Sequence, residues 1–131
     1  MDKEKLKKHF PEYDIPESYR LYTEYIWEIK EGINLQQDDH IYRRESIQNV
    51  LDKDPTIFTK AELEKLKETD RFILDHIQDA ARWFHFWNYK DYPKKYWWRY
   101  AKFIANGDMN KPNLDKIYKP YFEEIKSPGI A

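Results

Sequence analysis

Apolar residues at steps of three and four run through the middle of the chain, and this stripe constrains the fold more than any other feature. The segment Thr59-Lys60-Ala61-Glu62 precedes it and has the form of a capping box, which begins a helix. The spacing predicts one long helix over about residues 60–90, roughly 45 Å in length. Its inward positions are Leu63, Leu66, Ile73, Ile77, Ala80, Phe84 and Trp87.

One polar residue, Asp70, interrupts this stripe. Its carboxylate either pairs in the neighbourhood of Arg71 or fixes the register of the helix against a partner helix. Alternatively, the stripe reaches solvent at this point.

Two helices are predicted ahead of the long one. The first begins at Pro16-Glu17 and ends at Gly32, where glycine supplies a left-handed residue. The second runs from about Asp39 to Leu51. A single helix continuing through Gly32 is the alternative, because one glycine costs only about 1 kcal/mol in a helix.

Two more helices are predicted after the long one. Pro93 opens a helix that ends at Asn106-Gly107, and Asn113 caps the last helix, which contains Pro120. No segment alternates as a strand does, and one Val stands beside thirteen Ile and eight Leu. We therefore expect an all-α fold: a single domain over 1–131, with four to five helices packed around the 60–90 helix and residues 1–12 as a disordered tail.

The chain lacks the residue patterns that carry common chemistry. It has no Cys and three Gly, which excludes a thiolate nucleophile, a disulfide framework and a glycine-rich phosphate loop. His40, His76 and His85 have neither a histidine four residues away nor a Glu three residues before them, so no metal site is expected. No motif identifies a family. We expect neither an enzyme nor a cofactor.

Charge and hydropathy bear on where such a chain acts. The net charge is −1, the first residues are charged rather than apolar, and no apolar run reaches the length of a membrane span. We therefore expect a cytoplasmic protein that binds no membrane. The abundance of Lys, Ile and Tyr beside few Gly matches AT-rich codons, which fits a protein encoded by a phage or mobile element.

The segment 83–103 is the best candidate for a binding site. Eleven of its 21 residues are aromatic, and it carries five bases against one acid. On a helix from Pro93, one face would combine a tryptophan with cations, which suits an anionic partner. The alternative is a solvated basic face with the tryptophan folded onto the core. The predicted partner-binding residues are Lys94, Lys95, Trp98, Arg99 and Lys102.

These features favour a small non-enzymatic protein that acts by binding another protein, as a regulator or an inhibitor. A nucleic-acid-binding protein that uses the 94–102 face is the alternative. A homodimer through the Leu63–Trp87 stripe is a further expectation.

Overall fold

In this computed structural model, the described residues are 1–25, 37–82 and 89–126, and they contain seven α-helices and no strand. The all-α prediction is confirmed, although the helices outnumber the four to five expected. Three single 3₁₀ turns, at Pro55–Ile57, Tyr89–Asp91 and Trp97–Tyr100, connect them. The helices are α1 (Lys3–His9), α2 (Ile15–Tyr25), α3 (Gln37–Lys53), α4 (Lys60–Asp75), α5 (Ile77–Ala80), α6 (Ala101–Ala105) and α7 (Leu114–Lys126).

The longer helices pack around one apolar core. Helix α2 lies against both α3 and α4, while α7 packs on α4 and on the 3₁₀ turn at Pro55–Ile57. Because α2 and α3 pack against each other, they are two helices, as predicted. The predicted end of the first helix at Gly32 lies outside the described residues.

The N-terminal residues 1–12 contain a helix, so the prediction of a disordered tail is wrong. The Asp2 side chain caps α1 by accepting the Lys5 N–H (3.1 Å). Leu6 and Phe10 are buried in the common core, and the Asp2 N–H donates to the Ile57 carbonyl (2.8 Å). The sequence did not predict this helix, because only two apolar residues, Leu6 and Phe10, stand among five charged residues at positions 3–8.

The helix predicted over 60–90 is also wrong in length, since α4 ends at Asp75. The N–H of His76 donates to the carbonyls of both Phe72 and Ile73 (3.1 Å each), which closes the helix. Helix α5 follows at once and buries Ile77 and Ala80. The apolar stripe therefore continues across the break, which is why its spacing predicted one helix. The outer end of the predicted stripe, Phe84 and Trp87, lies outside the described residues.

The helix predicted from Pro93 begins later and is shorter. Pro93 opens a turn in which its carbonyl accepts the Tyr96 N–H (3.0 Å), and a 3₁₀ turn over Trp97–Tyr100 leads into α6. Four consecutive residues of that 3₁₀ turn are buried. Since four residues cover nearly the whole circumference of a helix, this segment is enclosed and does not lie on the surface.

The local end signals are confirmed. Thr59 and Glu62 form the capping box of α4, with both reciprocal hydrogen bonds present. Asn106 is the C-cap of α6, and Gly107 follows with a left-handed φ of 87°. The Asn113 side chain accepts the Lys116 N–H (3.1 Å) at the start of α7, and Pro120 lies inside that helix.

The apolar stripe of α4 and α5 packs into the core of the same chain. Its described members, Leu63, Leu66, Ile73, Ile77 and Ala80, are all at most 5% exposed. These residues leave no apolar surface for the homodimer predicted through this stripe. None of the described helices has the combination of length and apolar character needed to cross a bilayer.

Replacing the capping residue of α4 tests this account of the fold. Thr59→Ala removes the acceptor for the Glu62 N–H and should lower the free energy of unfolding by about 1 kcal/mol. Lys65→Ala, at an exposed position of the same helix, should change it by less than about 0.5 kcal/mol. Urea denaturation of both variants measures the difference, and equal stabilities would contradict the capping role.

Candidate functional site

A carboxylate at the centre of the core joins four helices. Asp70 of α4 is fully buried and forms a two-point ion pair with Arg44 of α3, whose Nε and Nη2 lie 3.0 and 2.9 Å from the carboxylate oxygens. The hydroxyls of Tyr22 (α2) and Tyr118 (α7) donate to the same carboxylate at 2.7 and 2.5 Å. The register interpretation of Asp70 is therefore supported, and the solvent interpretation is wrong.

Helix α3 carries a ridge of polar residues that continues this cluster. Arg44 Nη1 donates to Gln48 Oε1 (3.1 Å), and Gln48 Nε2 donates to Asp52 Oδ1 (2.8 Å) and to the Tyr121 hydroxyl (2.9 Å). The residues repeat every four positions, so they lie on one side of the helix. No buried side-chain N or O atom of the described residues lacks a hydrogen-bond partner.

Electrostatics hold Tyr22, Arg44 and Tyr118 each in one protonation state. Burial and the neighbouring Asp70 carboxylate raise the pKa of Tyr22 and of Tyr118 well above the ordinary value for tyrosine. Burial is the largest influence on the pKa of Arg44 and lowers it, but the charge and hydrogen bond of Asp70 together with Tyr118 and Tyr22 outweigh burial and raise this pKa. Arg44 therefore stays charged and both hydroxyls stay protonated. With Asp70 at 0% and Arg44 at 2% exposure, the cluster has no access for a substrate.

A second ion pair, partly buried, lies beside the first and involves two of the predicted partner-binding residues. Trp98 covers the Arg44 guanidinium, whose Cζ is 4.6 Å from the ring centroid, and its Nε1 donates to Glu45 (3.0 Å). Arg99 donates to both carboxylate oxygens of Glu45 and lies 3.5 Å from the centroid of the Tyr92 ring. Trp98 and Arg99 are each more than fifty residues along the chain from Glu45.

The structure does not bring the five predicted residues onto one exposed face. Trp98 and Arg99 are 1% and 5% exposed, so they support the fold instead of meeting a partner. Lys95 is at the surface but pairs with Asp52, its Nζ lying 3.4 Å from each carboxylate oxygen. Lys94 and Lys102 are exposed. Of the alternatives, folding of the tryptophan onto the core is the one observed.

These contacts leave a different surface, the turn at residues 92–96, which we call the Tyr92–Tyr96 turn. Pro93 and Lys94 are exposed in it, and the two tyrosines are half-buried. The Tyr96 ring stacks on Trp98, with centroids 5.3 Å apart and planes 15° apart. The Tyr100 hydroxyl donates to the Tyr92 carbonyl (2.5 Å). Burial and the nearby Asp52 raise the pKa of Tyr96.

The sequence therefore predicted the aromatic and basic character of this segment but not which of its residues are exposed. Pro93 opens a turn and not the predicted helix, so the helical spacing from which a common face was inferred does not apply to this segment.

The histidines and acids offer no metal centre in the described residues, where no group of three ligands converges. The His76 ring packs on Phe72 at a centroid distance of 4.3 Å, and its Nδ1 lies 2.9 Å from the Phe72 carbonyl. His85 lies outside the described residues.

Comparison of the chain with protein-family models, with curated proteins and with solved structures found no match. Its function is therefore inferred from its own residues.

Replacing Asp70 tests the central ion pair. Asp70→Asn keeps the side-chain volume but leaves Arg44 buried without a counter-charge, so the free energy of unfolding should fall by about 3–5 kcal/mol. Asp75→Asn, at an exposed position on the same helix, should change it by less than about 0.5 kcal/mol. Chemical denaturation gives both values, and a loss at position 70 as small as that of the control would contradict the assigned role.

The raised pKa values of Tyr22 and Tyr118 predict a loss of stability in alkali. Both hydroxyls are protonated in the folded chain but ionise near pH 10 when unfolded, so the unfolded chain binds fewer protons and stability falls as the pH rises above about 10. Titration should show a late rise in tyrosinate absorbance together with loss of helical circular dichroism. A Tyr22→Phe/Tyr118→Phe variant should lose part of that late step, whereas Tyr42→Phe, at a 55% exposed residue, should keep it. Ionisation of all tyrosines before any loss of helix would refute the prediction.

Proposed function

We propose that this chain is a non-enzymatic protein that binds an acidic segment of a protein partner through the Tyr92–Tyr96 turn. The observation that carries the proposal is the rigid support of this exposed turn. Arg99 packs on Tyr92, Trp98 stacks on Tyr96, and both are bound to Glu45 of α3. A surface that is ordered before binding loses little conformational entropy when a partner docks.

The charges near the turn favour an acidic partner. Lys94 is exposed and forms no ion pair among the described residues, while Lys95 shares its charge with the surface carboxylate of Asp52. Tyrosine and proline next to such cations supply apolar contact at low entropic cost. An acidic peptide stretch that carries an apolar side chain matches both features.

The buried polar groups support a non-enzymatic role. The ionisable residues of the core, Asp70, Arg44, Arg99 and the two tyrosines bound to Asp70, are paired with neighbours and closed off from solvent. Catalytic groups instead converge on a cavity that admits a substrate. We place the protein accordingly among regulators or inhibitors of other proteins, acting in the cytoplasm, and its AT-rich codon signature fits a phage or mobile-element origin.

Nucleic acid is the less favoured partner, because two of the five side chains predicted to bind it are enclosed in the fold. Of the tryptophan and the four cations predicted on the 94–102 face, Trp98 and Arg99 are enclosed. Nucleic-acid binding is therefore treated as an outcome of the test below.

A charge reversal at Lys94 tests the proposal. The folded chain, Lys94→Glu and the control Lys65→Glu are used to capture partners from lysate of the organism that encodes the chain or of its host, with and without nuclease treatment. A protein retained by the wild type and by Lys65→Glu should be bound at least about tenfold more weakly by Lys94→Glu, because one attractive charge becomes repulsive. The two variants change equal charge at exposed sites, so only position should distinguish them.

Three outcomes would count against the proposal: equal retention by both variants, no specific protein, or recovery of nucleic acid with an affinity that falls steeply with salt. A Trp98→Ala/Arg99→Glu variant is unsuitable as a probe of binding. It would remove a buried ring and place a second carboxylate beside Glu45, so loss of folding would explain any loss of partner.

A further inference from the structure

A groove of about 430 Å³ lies between α1 and the segment that leads into α2. None of its lining residues belongs to the Tyr92–Tyr96 turn. Its apolar lining includes Leu6, Phe10, Pro11 and Tyr13. Tyr13 is half-buried, and its hydroxyl accepts a hydrogen bond from Asn49 of α3 (3.1 Å), which fixes the position of the Tyr13 side chain. Pro11 is exposed in a tight turn in which the Tyr13 N–H donates to the Phe10 carbonyl (3.2 Å).

The two walls of the groove carry opposite charge. Lys3 and Lys7 come from α1, one helical turn apart, while Glu12 and Asp14 come from the following segment. All four side chains are exposed. Among the described residues, none of the four forms an ion pair, although the Asp14 carboxylate accepts the Glu17 N–H (3.3 Å). Their charges are therefore available to a partner.

We propose that this groove binds a second copy of the chain in a two-fold symmetric dimer. In such a dimer each contact occurs twice, since residue i of one copy meets residue j of the other and the reverse. A surface with a cationic wall beside an anionic wall is self-complementary under that rotation. Lys7 of each copy then faces Glu12 of the other, and the exposed Pro11 turn of each copy meets the apolar lining of its partner's groove.

The opposite charges of the two walls favour a second copy of the chain over other partners for this groove. A uniformly acidic or basic partner would meet repulsion from one wall, and nucleic acid would be repelled by Glu12 and Asp14. A copy of the same chain satisfies both walls at once. This dimer uses none of the residues of the Tyr92–Tyr96 turn, so it stands or falls independently of the proposed function.

Charge-swapped variants test the pairing. Sedimentation equilibrium of the wild-type chain should show a reversible dimer of twice the 16.2 kDa chain mass, weakening as salt rises. Lys7→Glu alone and Glu12→Lys alone should each associate at least about tenfold more weakly, because both symmetric contacts become repulsive. Lys8→Glu, which changes a neighbouring exposed lysine outside the groove, should associate as the wild type does.

Mixing the two groove variants gives the decisive result. One chain then carries Glu at positions 7 and 12 and the other carries Lys at both, so a two-fold pairing restores both contacts and an equimolar mixture should form a heterodimer. Circular dichroism of each variant confirms that it is folded. A wild-type chain that stays monomeric at about 1 mM would overturn the proposal, as would equal association of Lys7→Glu and Lys8→Glu, or a mixture no more associated than its parts.

Discussion

The carboxylate of Asp70 accepts hydrogen bonds from three helices other than its own, and the arrangement of the core depends on it. Removing Asp70 and Arg44 from water is costly, and their mutual attraction offsets that cost only where the geometry is good and the remaining lone pairs are satisfied. Here Tyr22 and Tyr118 supply the remaining donors. A shift of α2, α3 or α7 by one turn would leave a buried charge without its partners, so this cluster selects one register among many that apolar packing alone would tolerate.

Helix α3 connects the Asp70 cluster to the Tyr92–Tyr96 turn at the surface. Arg44 holds Asp70 on one side and lies under Trp98 on the other, and the adjacent Glu45 binds both Trp98 and Arg99. The Tyr92–Tyr96 turn rests on those two side chains. The shape of the candidate binding surface is thus set by the contacts that Arg44 and Glu45 of α3 make with other elements, and these contacts also stabilise the fold. Substitutions in the core should therefore displace this turn without touching it.

Signals that act within a few residues could be predicted from the sequence. The capping box at Thr59, the cap at Asn113 and the left-handed Gly107 each satisfy neighbouring backbone groups, so their sequence pattern is sufficient. The inward role of Arg44 and Gln48 could not be predicted, since a buried polar ridge has the same periodicity as a solvated face. Its partners, Asp70 and Tyr118, are 26 and 74 residues away. The burial of Arg99 could not be predicted for the same reason, because it depends on Glu45, whereas folding of Trp98 onto the core was one of the two alternatives.

The aromatic abundance of the chain now has a mostly structural explanation. A chain with 36% charged residues and few aliphatic ones must bury polar atoms, and tyrosine and tryptophan provide large apolar area together with a donor that satisfies a buried acceptor. Tyr22, Tyr118 and Trp98 do so at Asp70 and Glu45. The number of aromatic residues is therefore no measure of an interface in this protein. What argues for binding is the exposed turn that these buried rings support, together with the cation that it presents.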